Sequence, residues 1–514
     1  MVDSRMRAVS PFFFAIVVIG LALRLFMLTS NELWLDETHS IFIAGDSPAE
    51  MVEKLKDDGH PPLYFMLMFM WKSLFGESEL SVRLLSVLFG MASLAVVYWL
   101  GKSLINECVA LAGMFVAAVA PIHVYYSQEA RMYMMLAFLS ALSSGFLWLA
   151  IKHEKKRYWW AYVLSATFLV YTHIFGWFAL PAGNLFLLLN RERRHLFFKL
   201  AAYQAVIVIL FLPWVPIVPK QAGQAGLWMK EYWQATPPAL AIPKTLECFS
   251  AGANYPSYLR FFHVSPLRFA SYVVFALVGM IAVSSYRDRS LAHAPAEVRS
   301  AKLYLLLSLF VPLALPYGLS FVKPIYLVGR NDFMAYPFYA LLIGLGLVKL
   351  ARLAWIGLPA ISLLAAYSLY KYYSLPTPAF DREAVRYIAE SGSEGDLVVV
   401  TGLRLCPVEY YMRRENARFQ VMPYPGSMRS HPGWIDYRLT PRELMSDAAD
   451  VIKSAADEGR LAGPRPGVSE PGRSVWLLTS PLGSMNDPLF DEFERHLEFV
   501  NSNDKLGVLR FRPK

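Results

Sequence analysis

From Pro11 to Lys371 the chain repeats one pattern, an apolar run of membrane-crossing length followed by a short loop, and the loops are alternately basic and polar. A helix needs about 20 mostly apolar residues to cross the hydrocarbon core, and only helices or closed barrels satisfy their backbone there. Such runs number about eleven. They lie at Pro11 to Thr29, Leu80 to Leu100, Val109 to Val124, Tyr133 to Ile151, Tyr158 to His173, Phe175 to Leu189, Leu196 to Val215, Pro266 to Tyr286, Lys302 to Phe321, Phe333 to Val348 and Leu353 to Lys371. Composition agrees: 56% of residues are hydrophobic and 17% charged, against roughly 25% charged in soluble domains. The fold class is therefore a polytopic α-helical membrane protein.

Arg5 and Arg7, Lys102, Lys152 to Arg157, Arg191 to Lys199, Arg287 to Lys302, and Lys349 with Arg352 all fall on one side of such a bundle. The positive-inside rule makes that side the cytoplasm, which places the N-terminus there. The net charge of +9 then has a topological meaning, and no nucleic-acid partner is implied. Ser30 to Glu79, Tyr125 to Met132, the turn at His173, Pro216 to Ser265 and Val322 to Asp332 face outward. The first run lacks a small-residue cleavage site and is expected to be a retained anchor. His60 to Phe75 is too short to span comfortably and is expected to lie in the outer interface, opened by Pro61 and Pro62. Cys108, Cys248 and Cys406 lack metal-ligand spacing. Independent thiols are expected, although Cys248 and Cys406 could pair in an oxidising compartment.

After Lys371 the composition turns polar, with Pro376 and Pro378 at the boundary. Two domains are expected, residues 1–373 in the membrane and residues 374–514 as an extracytoplasmic α/β domain. In the latter, helices are expected at Arg382 to Ser391, Val408 to Arg414, Pro441 to Glu458 and Asp487 to Val500. Strands are expected at Asp396 to Thr401 and Val475 to Thr479. Met422 to Arg438 and Gly463 to Gly472 read as loops.

Polar clusters collect on the outer side. Asp36 and Glu37 stand beside each other just after the first span, and paired carboxylates there suit a general base or a divalent cation beside a phosphate. Asp36 could equally cap a helix beginning near Ser40. His60, followed by Pro61, Pro62, Leu63 and Tyr64, can donate to a phosphate or hydroxyl, or be a solvated residue at a helix start. The island Tyr125 to Tyr133 holds Tyr126, Gln128, Glu129 and Arg131, residues that grip a sugar by stacking and hydrogen bonds or a phosphate through the arginine fork. Arg330, in Val328 to Asp332, suits a lipid-linked phosphate or the outer headgroups. His173 is a weaker candidate, and Arg24 within the first span is expected to pair internally. Lys244, Glu247 and Trp228 could shape a cleft in the long outer loop. No Walker-type glycine loop occurs, which argues against nucleotide-driven chemistry.

In order, Leu33-Trp-Leu-Asp-Glu37, His60-Pro-Pro-Leu-Tyr64, Tyr126-Ser-Gln-Glu-Ala-Arg-Met-Tyr133 and Gly329-Arg330 before an apolar run resemble the GT-C superfamily of integral-membrane glycosyltransferases. The branch it resembles is the bacterial one related to protein O-mannosyltransferases and to the aminoarabinose transferases of lipid A. The resemblance implies a sugar on a polyprenyl phosphate as donor, and as acceptor a hydroxyl on a glycan, lipid or protein. Transfer would occur on the outer face of the plasma (inner) membrane, among membrane lipids. Asp36 matches the family's base, with Glu37 positioning it, the acceptor or a metal. Arg330, His60 and Arg131 would take the lipid phosphate, and Tyr64, Tyr126, Gln128, Glu129 and His173 would line the substrate site. No cofactor is certain; if a divalent metal takes part, Asp36 and Glu37 are its candidate ligands. Inversion by a single displacement is the simplest scheme. Two other readings stay open. A lipid or solute transporter would carry repeated halves with polar interruptions at mid-span, and a non-catalytic scaffold would bind glycolipid without turnover.

Overall fold

A computed structural model of the chain describes residues 10–221, 229, 233, 237–252, 266–284, 295–374, 380–393, 396–429, 439–457, 474–480 and 483–514. Trp228, the Pro376 and Pro378 boundary, the Gly463 to Gly472 loop and residues 430–438 of the Met422 to Arg438 loop lie outside the described residues. The chain forms two compact units. One comprises Met1–Leu28 with Asp46–Pro376, the other Thr29–Gly45 with Thr377–Lys514. The Asp36 stretch thus belongs to the same unit as the tail.

The first unit is helical. Its helices are α1 (Pro11–Leu25), α3 (Pro48–Leu55), α4 (Leu63–Phe75), α5 (Glu79–Leu104), α6 (Glu107–Val119), α7 (Pro121–Ser127), α8 (Tyr133–His153), α9 (Lys156–Thr172), α10 (Leu180–Leu189) and α11 (Phe197–Phe211). They continue with α12 (Ala241–Ala251), α13 (Pro266–Val283), α14 (Pro295–Leu319), α15 (Tyr336–Leu350) and α16 (Ala354–Ser374), while α2 (Leu35–Ala44) lies in the second unit. Polar residues set the boundaries. The Ser78 side chain accepts from Ser81 N at the start of α5, and Glu79 and Lys102 complement the dipole at its two ends. Asn106 caps α6 in the same way, at 2.9 Å from Val109 N.

All eleven expected runs are largely helical, but their lengths differ from the expectation. Among the described residues, five helical segments are long and apolar enough to cross a membrane, or six if the bent pair α6 and α7 is one span. The run expected from Val109 to Val124 is broken at Ala120, where α6 and α7 meet at 65°. Pro121 removes one backbone donor, and the helix restarts there. The helix expected near His60 begins at Leu63, after the prolines. Helix α15 forms the centre, with nearly every residue from Tyr336 to Leu347 buried, as a helix apolar on all sides must be. It lies close against α6, since a Cβ on Gly344 would come within 2.5 Å of Gly113 N. Small residues permit that approach, as in other membrane helix pairs.

The second unit is α/β. Five strands, β1 (Leu397–Thr401), β2 (Gln420–Tyr424), β3 (Val475–Leu478), β4 (Leu497–Asn503) and β5 (Val508–Pro513), form one sheet in the order β2-β1-β3-β5-β4. The β2, β1 and β3 ladder is parallel, and β5 and β4 are added antiparallel. Strand β1 is buried throughout, the pattern of a central parallel strand. Helices α17 (Asp381–Ser391), α18 (Leu405–Arg414), α19 (Pro441–Asp457) and α20 (Asp487–His496) accompany the sheet. Two expectations are corrected here. The helix expected to run on to Val500 ends at His496 and becomes β4, and the start of the loop expected from Met422 is the end of β2.

One carboxylate fastens this sheet. Asp396 is buried, and it accepts from Ser474 N at 2.8 Å, Trp476 Nε1 at 2.9 Å and Ser393 N at 3.1 Å. Asp396→Ala should destabilise the unit by about 2–4 kcal/mol, because it strands buried donors. Scanning calorimetry of the full chain reads that loss.

Candidate functional site

In the first unit a cationic and aromatic cluster assembles around Tyr133, the first residue of α8. The Arg330 guanidinium lies 5.5 Å from the centre of the Tyr133 ring, and its Nε donates to the Tyr133 hydroxyl at 3.1 Å. The Arg131 guanidinium stands 6.0 Å from the same ring. His173 is 6.4 Å from Tyr133 and 5.2 Å from His60, ring centre to ring centre, and the charges of Arg131 and Arg330 both act on it. His60 in turn sets Nδ1 2.6 Å from Asp58 Oδ1. Asp58 therefore fixes the ring and leaves Nε2 as the second working nitrogen, an orientation that ring-to-carboxylate pairs commonly impose.

The turn that carries Arg330 is held from several sides. Gly329 adopts a left-handed φ of 75°, which a side chain would strain. A Cβ there would also stand 3.3 Å from Cys248 Sγ. The Gly329 N–H donates to Asp332 Oδ2 at 2.9 Å, and its carbonyl accepts from the Tyr126 hydroxyl. Asp332 is buried and also accepts from Thr245 on α12, whose hydroxyl meets Tyr326 at 2.7 Å. Tyr126 packs against Tyr133 with ring centres 4.9 Å apart and the rings tilted by 53°, so the turn and the platform share one wall. Lys244 and Glu247 form a buried ion pair of 2.6 Å on the same helix α12.

The structure brings His60, Arg131, His173, Arg330 and Tyr126 into one neighbourhood, with Glu129 buried close enough to act electrostatically on Tyr126. Tyr64 is buried and meets Phe65 at 5.7 Å. Gln128, expected at the substrate, spends its side chain on the fold. Its amide donates to the carbonyls of Arg24 at 3.0 Å and Phe26 at 2.8 Å, and its oxygen accepts from Tyr372 at 2.8 Å. Tyr133 and Asp332 lie within the polar island and the Val328 to Asp332 turn that the sequence marks, whereas nothing in the spacing of Asp58 or Thr245 singles them out.

In the second unit, α2 starts at Leu35, five residues ahead of the expected start near Ser40, so Asp36 is not its cap. Glu37 supplies the capping contact instead, its carboxylate accepting from Trp34 N at 3.4 Å from a buried position. Asp36 is half-buried in the first turn, where a negative charge suits the helix dipole. The stretch is fastened to the tail's helices. Leu33 N donates to the Tyr411 hydroxyl at 2.7 Å, Glu32 accepts from Arg382 N at 2.9 Å, and His39 Nδ1 lies 4.0 Å from Cys406 Sγ. Burial raises the Glu32 carboxyl above the usual range, opposed by Arg382; burial likewise raises Asp381, opposed by the Arg404 guanidinium at 2.7 Å. Cys248 and Cys406 are free thiols. Among the described residues, no group of three or more His, Cys, Asp and Glu side chains could hold a metal ion.

The arginine and histidine cluster thus belongs to the helical unit, and the Asp36 stretch to the α/β unit. Comparison with known proteins finds a partial family match and a shared fold. Residues 59–218, which include His60, Tyr126, Arg131 and His173, match the dolichyl-phosphate-mannose-protein mannosyltransferase family. The fold is similar to that of ArnT from Cupriavidus metallidurans in its apo state, with a TM-score of 0.60 and 12% identity over 97% of each chain. ArnT bound to undecaprenyl phosphate matches with a TM-score of 0.60 and 14% identity, again over 97% of each chain. The oligosaccharyltransferase AglB from Archaeoglobus fulgidus, in complex with an inhibitory peptide and a dolichol-phosphate, matches at 0.53 and 12% identity over 98% of this chain and 74% of that one. No curated protein sequence matches the chain.

Proposed function

We propose that the chain is a multi-pass inner-membrane glycosyltransferase that moves a sugar from a polyprenyl-phosphate donor to an acceptor hydroxyl on the extracytoplasmic face. The observation that carries the proposal is the packing of Arg330, Arg131, His60 and His173 around Tyr133 in a membrane helical unit. The ArnT structure with undecaprenyl phosphate and the AglB structure with a dolichol-phosphate support the donor class.

Breaking the sugar to phosphate bond builds positive charge on the sugar and leaves negative charge on the lipid phosphate. Cations already oriented toward the phosphate oxygens stabilise that separation more than they stabilise the bound donor, which is what lowers the barrier. Arg330, held at its Nε by the Tyr133 hydroxyl, would take two phosphate oxygens, with Arg131 and the Nε2 of His60 completing the grip. Asp36 would remove the acceptor's proton, and attack on the sugar opposite the departing phosphate would invert its stereochemistry in one displacement. The N-terminus would be cytoplasmic and the α/β unit external, as the basic loops imply. Residues 1–373 and 374–514 would be the membrane and soluble domains, with Thr29–Gly45 built into the latter.

His60→Ala should lower kcat/KM for the lipid-linked donor by about 10- to 100-fold, and Asp58→Asn by roughly 3- to 10-fold through loss of ring orientation. Transfer assays in proteoliposomes with a polyprenyl-phosphate sugar measure both. Unchanged rates in both variants would remove His60 from the site. Mass spectrometry of glycolipids, glycans and exported proteins from cells with and without the protein identifies the sugar and the acceptor; identical profiles would count against transfer.

A further inference from the structure

Arg24 is fully buried in the membrane unit, and the cluster just described makes no use of it. A guanidinium in such a place must be held by many acceptors or cost several kcal/mol. Its acceptors fall on both sides of the break between α6 and α7. Nη1 donates to Ala118 O at 3.1 Å and Nη2 to Ala117 O at 3.3 Å, both in the last turn of α6. Nη2 also meets His123 Nδ1 at 2.6 Å in the first turn of α7, and Nε donates to Ser127 Oγ at 3.1 Å on its last residue. Nη1 reaches back to Gly20 O on α1 itself, at 2.7 Å.

The chemistry of the break explains why these acceptors exist. A helical carbonyl is satisfied by the N–H four residues on. For Ala117 that residue is Pro121, which has none. Arg24 supplies the missing donor. Because arginine only donates, His123 Nδ1 must accept, which makes that ring neutral with its Nε2–H toward Ser93 Oγ at 3.4 Å. The surroundings are tight: a Cβ on Gly90 would lie 2.4 Å from Ser127 Oγ and 3.3 Å from Arg24 Nε. The end of α1 also holds the next residue of the chain, through the Gln128 amide on the Arg24 and Phe26 carbonyls.

We propose that Arg24 is a positioning residue that splints the broken helix α6 and α7, fixing the direction in which α7 delivers Arg131 and Tyr133 to the donor-phosphate wall. The inference rests on the reading of that wall given above. One planar group satisfies the carbonyls of the broken turn and grips both ends of α7, which a lysine, with one nitrogen on a flexible stem, does not do. Loss of the grip would let a seven-residue helix turn about its proline. Displacement of about 1 Å at a binding group can cost a hundredfold.

The test measures affinity for undecaprenyl phosphate and the thermal midpoint of the full chain in nanodiscs. Arg24→Met should weaken binding about tenfold and lower the midpoint. In Arg24→Met with Pro121→Ala, the restored N–H returns a donor to Ala117, so the midpoint should recover while the affinity stays weak. Recovery of both together, or wild-type affinity in Arg24→Met, overturns the positioning role. Should Arg24→Met fail to fold, Ser127→Ala removes the grip on the end of α7, along with the hydroxyl's own bond to the His123 carbonyl at 2.6 Å, and should weaken binding roughly threefold; wild-type affinity there is equally fatal. Arg330→Ala separates the two claims. Unchanged binding in that variant removes the phosphate wall itself, whereas weakened binding there beside normal binding in Ser127→Ala and Arg24→Met removes only the splint.

Discussion

Arg330→Ala should lower kcat/KM for a polyprenyl-phosphate sugar by about 100- to 1000-fold, an effect of about 2.7–4 kcal/mol on the transition state. The magnitude follows from the site's construction. A charge-assisted pair of hydrogen bonds is worth more where water is sparse and the donors are already aimed, and Arg330 is aimed by the Tyr133 hydroxyl at 3.1 Å. Its turn cannot drift, because Asp332 and Tyr126 hold the two polar groups of Gly329. Arg330→Lys should therefore recover little, since an ammonium cannot bond the Tyr133 hydroxyl through Nε and still offer two parallel donors to a phosphate. Loss of the charge should show mainly in kcat if phosphate departure limits turnover, and in KM as well if the ground-state phosphate is gripped. Activity within threefold of wild type in Arg330→Ala would exclude the arginine from the reaction.

The bundle was legible because hydrocarbon imposes a length and a composition that few soluble sequences share. The polar island around Tyr126 to Tyr133 and the turn at Arg330 stood out for the same reason, as expensive residues in a cheap background. What escaped notice depended on contacts between distant residues. The run through Ala120 and Pro121 reads as one apolar span, and the sequence shows the proline without showing that Arg24, nearly a hundred residues earlier, would stabilise a 65° break. Gln128 looked like a sugar ligand because its partners, the carbonyls at the end of α1 and Tyr372, cannot be read from its neighbours. In the tail, Leu497 to Val500 continued a helical pattern, and pairing with β5 decided otherwise. The segment around Asp36 is next to α1 in sequence, yet its partners Tyr411, Arg382 and Cys406 are more than 300 residues away.

Those same contacts sharpen what Asp36 can be. With the helix start at Leu35 and Glu37 on the Trp34 N–H, the capping role that competed with catalysis belongs to the neighbouring residue. Asp36→Asn keeps the shape and removes only the ability to take a proton, so it should lower kcat by about 100- to 10,000-fold with the thermal midpoint little changed. Glu37→Gln is the matched control. An amide oxygen still accepts from Trp34 N, so the cap survives with a modest loss of stability, and turnover should stay within about threefold. Reversal of that order, with Asp36→Asn active and Glu37→Gln dead, would transfer the base to Glu37. Full activity in both would leave the acceptor hydroxyl to be deprotonated elsewhere, and the anomeric configuration of the product, compared with that of the donor, would then decide whether a single displacement occurs at all.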